Sequence, residues 1–490
     1  MRKVYIKERS FYTIESLARV LGVEKERAAE YIEVLTTRGV LRLRSGNDED
    51  EFDTEDASKY KGTYQFVYVG LAIVDGLVLI VYPKYMDERR FENNTVGTST
   101  QAALRQVFAA LRKSSGSYSD IVTLNESSRH FNDRIACMLM LIEMYSEYGE
   151  YSNYVRTLQE DGFGDISWER TIAMHQPFLQ DGVPIYFDYE TITNTKDNAD
   201  FITRLHRCIL TECSNKIAEY GIADILGLEE IELTDDVLDD LGDTEHLLYR
   251  LDRERGVQYV TWKQDVIDLM KRYINKEETL IDSDEVVCLG TTSFHHVWEK
   301  ACKVAFGDLL AKRIDGLGLR LSDEWVSRRN ETLLGIIPAP AWSKRPDDGV
   351  KYNPQGSLIP DIIAFHQTQS GERVFGILDA KYYKPWFGIN DSIYGAPGVG
   401  DVTKQILYQQ AYKRFILDHG FDRVVNAFLI PSDSAEFSLM GHVEFLGVFD
   451  SEEKPFVDGV DMWTLPAQDI WRCYLNGKAL SLDSVERMFV

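Results

Sequence analysis

No stretch of 18 uncharged apolar residues occurs in this 490-residue chain, and the basic start, Met1-Arg-Lys-Val-Tyr-Ile-Lys-Glu-Arg, has no apolar run behind it. The sequence therefore reads as lacking a membrane span and a signal peptide. Cysteine is sparse: Cys137, Cys208, Cys213, Cys288, Cys302 and Cys473 include no Cys-x-x-Cys pair. That pattern argues against a disulfide framework or a cysteine zinc site and for a reduced, cytoplasmic chain. No Gly-x-x-x-x-Gly-Lys-Ser/Thr is present, which excludes a P-loop nucleotide hydrolase within the chain itself. Positive charge is also short, with 54 Lys and Arg against 79 Asp and Glu, a net charge of −25. A protein that simply coats nucleic acid needs the opposite balance, so any phosphate-facing surface must be local. Residues 285–490 carry only −6 of that charge, leaving −19 for the first 284, and the C-terminal part is the better place to seek a phosphate-bearing ligand.

What is present is enough apolar material to fold: 44% hydrophobic and 12% aromatic residues, with a length that suits two to four domains. Residues 1–46 read as a small helical module. Thr13 can cap a helix carrying Ile14, Leu17, Ala18 and Leu21; Gly22 breaks it; a second helix runs from Glu24 to Thr37, followed by a strand at Gly39-Val-Leu-Arg-Leu-Arg. The order is winged-helix-like, although the groove-facing helix holds as much acid as base, so packing or protein binding suits it better than DNA. The acidic run from Asn47 to Asp56 reads as a solvated linker. Residues 60–284 form a middle region. It opens with a β-hairpin, two β-rich runs around Asp75-Gly76. Helical pattern follows from about Thr100 to Arg170, then strand-like pieces such as Val183-Pro-Ile-Tyr-Phe-Asp-Tyr. The acidic segment from Leu228 to Leu241 suits one or two surface helices, and a clearer helix starts near Thr261.

The chemistry-bearing residues lie in residues 285–490. Asp361 sits in the apolar run Gly356-Ser-Leu-Ile-Pro-Asp-Ile-Ile-Ala-Phe, and Asp379 and Lys381 end a second run, Val374-Phe-Gly-Ile-Leu-Asp-Ala-Lys. Period 2 puts Asp379 and Lys381 on one strand face, and a hairpin with Asp361 brings all three together. Two carboxylates and an ammonium inside strands are costly unless they neutralise one another or bind a metal. Such a hard-oxygen set suits Mg²⁺ or Mn²⁺, with Lys381 holding or deprotonating an attacking water and stabilising transition-state charge. As bare letters these patterns are common; the other Pro-Asp, Pro346-Asp347, lies in a polar stretch. The adjacent His295 and His296 point about 100° apart on a helix, with no third ligand at i+4, and are not read as a metal site.

Pro360-Asp361 with Asp379-Ala380-Lys381 resembles the PD-(D/E)XK nuclease superfamily. The resemblance implies an α/β multidomain chain whose C-terminal part is a restriction-endonuclease-like mixed sheet flanked by helices. It implies metal ligation by Asp361, Asp379 and the Ala380 carbonyl, and a further glutamate from the helix before the sheet, Glu299. It also implies a helix after the catalytic strand in which Gln409, with Gln405 or Tyr408 second, orients water or touches phosphate. More finely, Tyr68-Val-Gly-Leu-Ala, Val81-Tyr-Pro-Lys-Tyr, Gly290-Thr-Thr-Ser-Phe, Val297-Trp-Glu and Tyr408-Gln resemble LlaJI-type restriction endonucleases, which are similar to the nuclease subunit McrC. That implies Mg²⁺-dependent cleavage of double-stranded DNA in anti-phage restriction, leaving a 5′-phosphate and a 3′-hydroxyl. It also implies docking, through residues 60–180, on a separately encoded hexameric AAA+ GTPase or ATPase similar to McrB. Two rival expectations are an idle adaptor that only activates that partner, and a DNA-binding regulator acting through residues 11–45.

Overall fold

The computed structural model describes residues 1–44, 61–116, 134–275, 286–345, 349, 351–352, 356–388, 392–444 and 455–489. The acidic run 47–56 and the Pro346-Asp347 pair lie outside the described residues. The chain divides into two compact units: one gathers residues of 1–129, 225–227 and 286–490, the other residues of 130–224 and 228–285. Among the described residues no helix is long and apolar enough to cross a membrane.

The first unit starts with β1 (Arg2–Lys7), where Val4 and Ile6 are buried between polar neighbours. After β2 (Phe11–Tyr12), the expected helices form as α1 (Ile14–Leu21) and α2 (Lys25–Thr37). A capping box starts α1: the Thr13 side chain accepts from the Ser16 N–H and the Ser16 hydroxyl oxygen accepts from the Thr13 N–H. Gly22, at φ 61°, ends it in the left-handed region that only glycine adopts freely. A three-stranded antiparallel sheet follows, with β4 (Tyr64–Phe66) between β2 and β3 (Leu41–Leu43).

The hairpin expected around Asp75-Gly76 is β5 (Val69–Val74) and β6 (Leu77–Tyr82). Both turn residues have positive φ, 45° and 74°, as a type I′ turn requires. Every residue of the two strands is buried, because the hairpin sits inside a four-stranded sheet of order β1-β6-β5-β7, with β7 at Val286–Thr291. In that register Gly70 opposes Gly290. A Cβ on Gly290 would lie 2.2 Å from the Val69 carbonyl oxygen and 2.6 Å from the Gly70 Cα, so the two backbones meet where no side chain fits.

From β7 the chain enters α4 (Phe294–Ala305), which packs beside the earlier helix α3 (Thr98–Ser115); Phe294, Val297, Trp298 and Ala301 of α4 are buried at helical spacing, while Val304, next on that stripe, is half-buried. A five-stranded mixed sheet follows. Its strands are β8 (Ile362–Gln367), β9 (Arg373–Ala380), β10 (Arg423–Ser432), β11 (Ser438–Glu444) and β12 (Gly459–Pro466), in the order β8-β9-β10-β12-β11. β8 and β9 are antiparallel; β9, β10 and β12 are parallel; β11 is antiparallel to β12. The crossover from β9 to β10 is the 20-residue helix α5 (Val399–Asp418). Tyr412, Phe415 and Ile416 of α5 join Ile363, Phe375 and Ile377 of the sheet in one core. Phe489, in the C-terminal helix α6 (Leu482–Phe489), meets the opposite face at Gly376.

The second unit packs helices Arg134–Tyr148, Phe201–Tyr220, Thr244–Val257 and Thr261–Asn275. The helical reading as far as Arg170 fails at Tyr154–Glu160. That β-prone run pairs antiparallel with threonine-rich Glu190–Lys196, and Thr157 and Thr195 share a hydrogen bond of 2.8 Å. Nor is the acidic segment from Leu228 mainly helical, since only Leu238–Leu241 forms a turn of helix. Its backbone N–H groups at Ile231 and Leu233 are taken by the hydroxyls of Ser214 and Thr211 instead.

Candidate active site

The β8–β9 register pairs Ile362 with Leu378, and one further step sets Asp361 opposite Asp379. Asp361 is held there by the Ala380 N–H, which donates to its Oδ2 at 3.0 Å. Asp379 is buried beneath α5, on the face that also carries Phe375 and Ile377. Its Oδ2 lies 3.0 Å from Lys381 Nζ, so the alternation expected of the strand brings Asp379 and Lys381 together. The Lys381 N–H donates to the Leu429 carbonyl at 3.0 Å, and Trp298 Nε1 donates to the same oxygen at 3.0 Å.

Asp401 completes the cluster. Its Oδ1 accepts from Lys381 Nζ at 2.9 Å. The helix α5 begins at Val399 and so carries Asp401 in its first turn, beside the lysine. A carboxylate in the first turn of the next helix after an Asp-x-Lys strand is the signal available for it.

The electrostatics divide the cluster into two parts. Burial would depress the Lys381 pKa, but Asp379 and Asp401 outweigh it and hold it above the ordinary lysine value. In the metal-free chain Lys381 is therefore held as an ammonium, suited to orienting a water or balancing negative charge. Asp361 is raised as well, which for a carboxyl favours the neutral form: burial, then the charge and shared hydrogen bond of Asp379, then Glu299, bring it to about 8 against the pull of the Ala380 N–H. Two acceptors face one another, and among the described residues Asp379 Oδ1 is buried without a hydrogen-bond donor. Such a pair needs a proton or a cation between its oxygens.

That donor set fits a hard divalent ion bound by two carboxylates and a backbone carbonyl. Among the described residues no group of three or more His, Cys, Asp or Glu side chains forms a metal cage, so the side-chain share of such a site is limited to the aspartate pair.

The remaining expected residues are placed unevenly. Glu299 acts on Asp361 electrostatically but is engaged by Lys303 at 2.6 Å and His296 at 3.7 Å. Burial raises its pKa, and Lys303 and His296 bring the net value below the usual range. Gln409 is buried and spends its amide on Val457, donating to the carbonyl at 2.7 Å and accepting from the N–H at 3.3 Å. Gln405 is fully buried, and among the described residues neither of its amide atoms has a partner. The helix residue closest in influence is Tyr408. Its hydroxyl donates to the Ile359 carbonyl at 2.8 Å, and burial with Asp379 and Asp361 pushes it up to about 12. His295 and His296 lie with ring centres 4.0 Å apart on α4.

The mixed sheet thus bears an Asp–Asp–Lys cluster at one strand end, and the chain is similar to restriction endonucleases. The LlaJI restriction endonuclease family matches residues 68–315 and 329–458, more than half of the sequence, and the chain belongs to that family. It is 28% identical over 488 residues to the type II restriction enzyme BsuMI component YdjA of Bacillus subtilis (strain 168), covering 97% of this chain and 90% of that protein. Among solved structures it aligns with a chain of a half-complex of Thermococcus gammatolerans McrB AAA+ hexamers with bound McrC. The alignment covers 97% of this chain and 99% of that one, at 14% identity and a TM-score of 0.34.

Proposed function

We propose that the chain is the nuclease subunit of a bacterial restriction system, a Mg²⁺- or Mn²⁺-dependent phosphodiester hydrolase acting on double-stranded DNA through a PD-(D/E)XK core. The observation carrying this reading is the convergence of Asp361, Asp379 and Lys381, with Asp401, at the end of β9. Asp361, Asp379 and the Ala380 carbonyl would hold the metal, which when bound supplies Lewis-acid charge to the scissile phosphate. Lys381, fixed as an ammonium between Asp379 and Asp401, orients the attacking water and balances the charge that builds on phosphate oxygens. Glu299 adds a second carboxylate charge beside Asp361.

Partner dependence is supported by the family and by the relative's description as one component of a restriction enzyme. The McrC-like residues Tyr68–Ala72 and Val81–Tyr85 favour an AAA+ GTPase or ATPase as that partner. The regulator reading is disfavoured by α2, whose Lys25 and Arg27 are already paired with Glu15 at 2.5 Å and Asp75 at 2.6 Å. Cations so engaged have less to offer DNA phosphates.

The test is plasmid cleavage by the full chain with Mg²⁺, partner and nucleotide. Asp379→Ala and Lys381→Ala should each abolish cutting while the chain still folds and binds its partner. Cutting at the parental rate by either variant refutes the assignment. Nucleotide hydrolysis by the partner without any nicking by the parent protein supports the adaptor instead.

A further inference from the structure

The run Val81-Tyr-Pro-Lys-Tyr at the end of β6 contains a lysine that the proposed chemistry does not use. Lys84 is only 6% exposed, and Glu8, the residue after β1, only 7%. The Glu8 carboxylate accepts from the Lys84 N–H at 3.1 Å and from the Tyr382 hydroxyl, while the Lys84 ammonium lies 5.1 Å from the centre of the Tyr382 ring. The Lys84 N–H is also 3.2 Å from the Tyr382 hydroxyl. The ring packs on Phe294 at 5.1 Å and edge-on to Tyr85 at 6.4 Å, and Tyr85 accepts from Trp471 Nε1 at 2.9 Å. Burial pushes Glu8 up, and Lys84 and the Tyr382 hydroxyl pull against it.

Tyr382 is joined by one peptide bond to Lys381. On the other side of that peptide the Lys381 N–H is tied to Leu429, and its ammonium is shared by Asp379 and Asp401. A buried carboxylate and a buried ammonium are a costly way to fill a core that apolar side chains fill more cheaply; what their contacts to Tyr382 add is a single allowed geometry. We propose that Glu8 and Lys84 are positioning residues for the nuclease lysine. Acting through Tyr382, they lock the backbone at the end of β9 so that Lys381 stays between its two aspartates. The N-terminal sheet is in this way part of the active-site frame. The inference rests on the nuclease reading for its consequence, but not for its geometry.

Two readouts test it, with Tyr382→Phe, Glu8→Gln and, as a packing control in β1, Val4→Ala. In the cleavage assay Tyr382→Phe should lower kcat by about tenfold or more, the scale on which small misplacements of a reacting group act, with KM for DNA unchanged. In metal-free protein, acetylation of Lys381 mapped by mass spectrometry should quicken several-fold in Tyr382→Phe and Glu8→Gln and stay parental in Val4→Ala. Parental acetylation in both clamp variants, or equal quickening in Val4→Ala, overturns the proposal. Should Tyr382→Phe fail to fold, Glu8→Gln decides by the same measurement. Should the parent protein cut no DNA, the nuclease reading falls, and lysine reactivity still decides the clamp.

Discussion

Asp361→Asn removes a charge that the fold holds at a loss. In the folded chain Asp361 gives up its proton near pH 8 instead of near 3.8. Between those values the folded state keeps a proton that the unfolded state has released, so the stability of metal-free protein falls as pH rises. Below about 4 both states are protonated and above about 8 both are ionised, which confines the loss to that window. At about 1.4 kcal/mol per pKa unit the full span sets a ceiling of about 6 kcal/mol, and relaxation with water entry reduces it to about 2–3 kcal/mol. Asparagine removes the titration, can still accept from the Ala380 N–H, and offers an amide donor to Asp379. Urea unfolding in EDTA at pH 5 and pH 8.5 measures the effect: the variant should gain about 2–3 kcal/mol on the parent at the higher pH relative to the lower. Adding Mg²⁺ at pH 8.5 should stabilise the parent and leave the variant where it was. A parent–variant difference that is the same at both pH values refutes the reasoning.

Gly290→Ala should separate β7 from β5, because its Cβ would fall 2.2 Å from the Val69 carbonyl oxygen; a loss of about 2–4 kcal/mol is expected in thermal melts, and an unshifted melting temperature contradicts the register. Gln405→Leu replaces a buried amide that has no partner among the described residues, so stability should hold or rise by about 1 kcal/mol. A clear loss in the same melts would show that the amide is satisfied in solution.

Local pattern determined much of this protein. Thr13, Gly22 and the apolar spacing of residues 14–35 specify α1 and α2, and Asp75-Gly76 between apolar runs specifies a type I′ hairpin; these are short-range matters of φ, capping and periodicity. The same holds for Asp379 and Lys381, since strand alternation alone puts them on one face. Long-range partners had no such signature. Asp401 becomes the second counter-ion of Lys381 only because α5 crosses back over the sheet, and Gln409, a plausible site residue by motif, is turned to Val457 by the same helix. Tyr154–Glu160 reads as helix until its strand partner 30 residues or more away supplies the ladder. β1, as long as β5 and β6 but with Arg2, Lys3 and Lys7 among its six residues, does not announce itself, yet it lines up parallel with β6 and delivers Glu8 to Tyr382. Residue types and local periods are written in sequence. Which carboxylate is buried, and what it faces once water is gone, is decided by packing between segments hundreds of residues apart, because desolvation and pairing energies depend on neighbours that only the folded chain assembles.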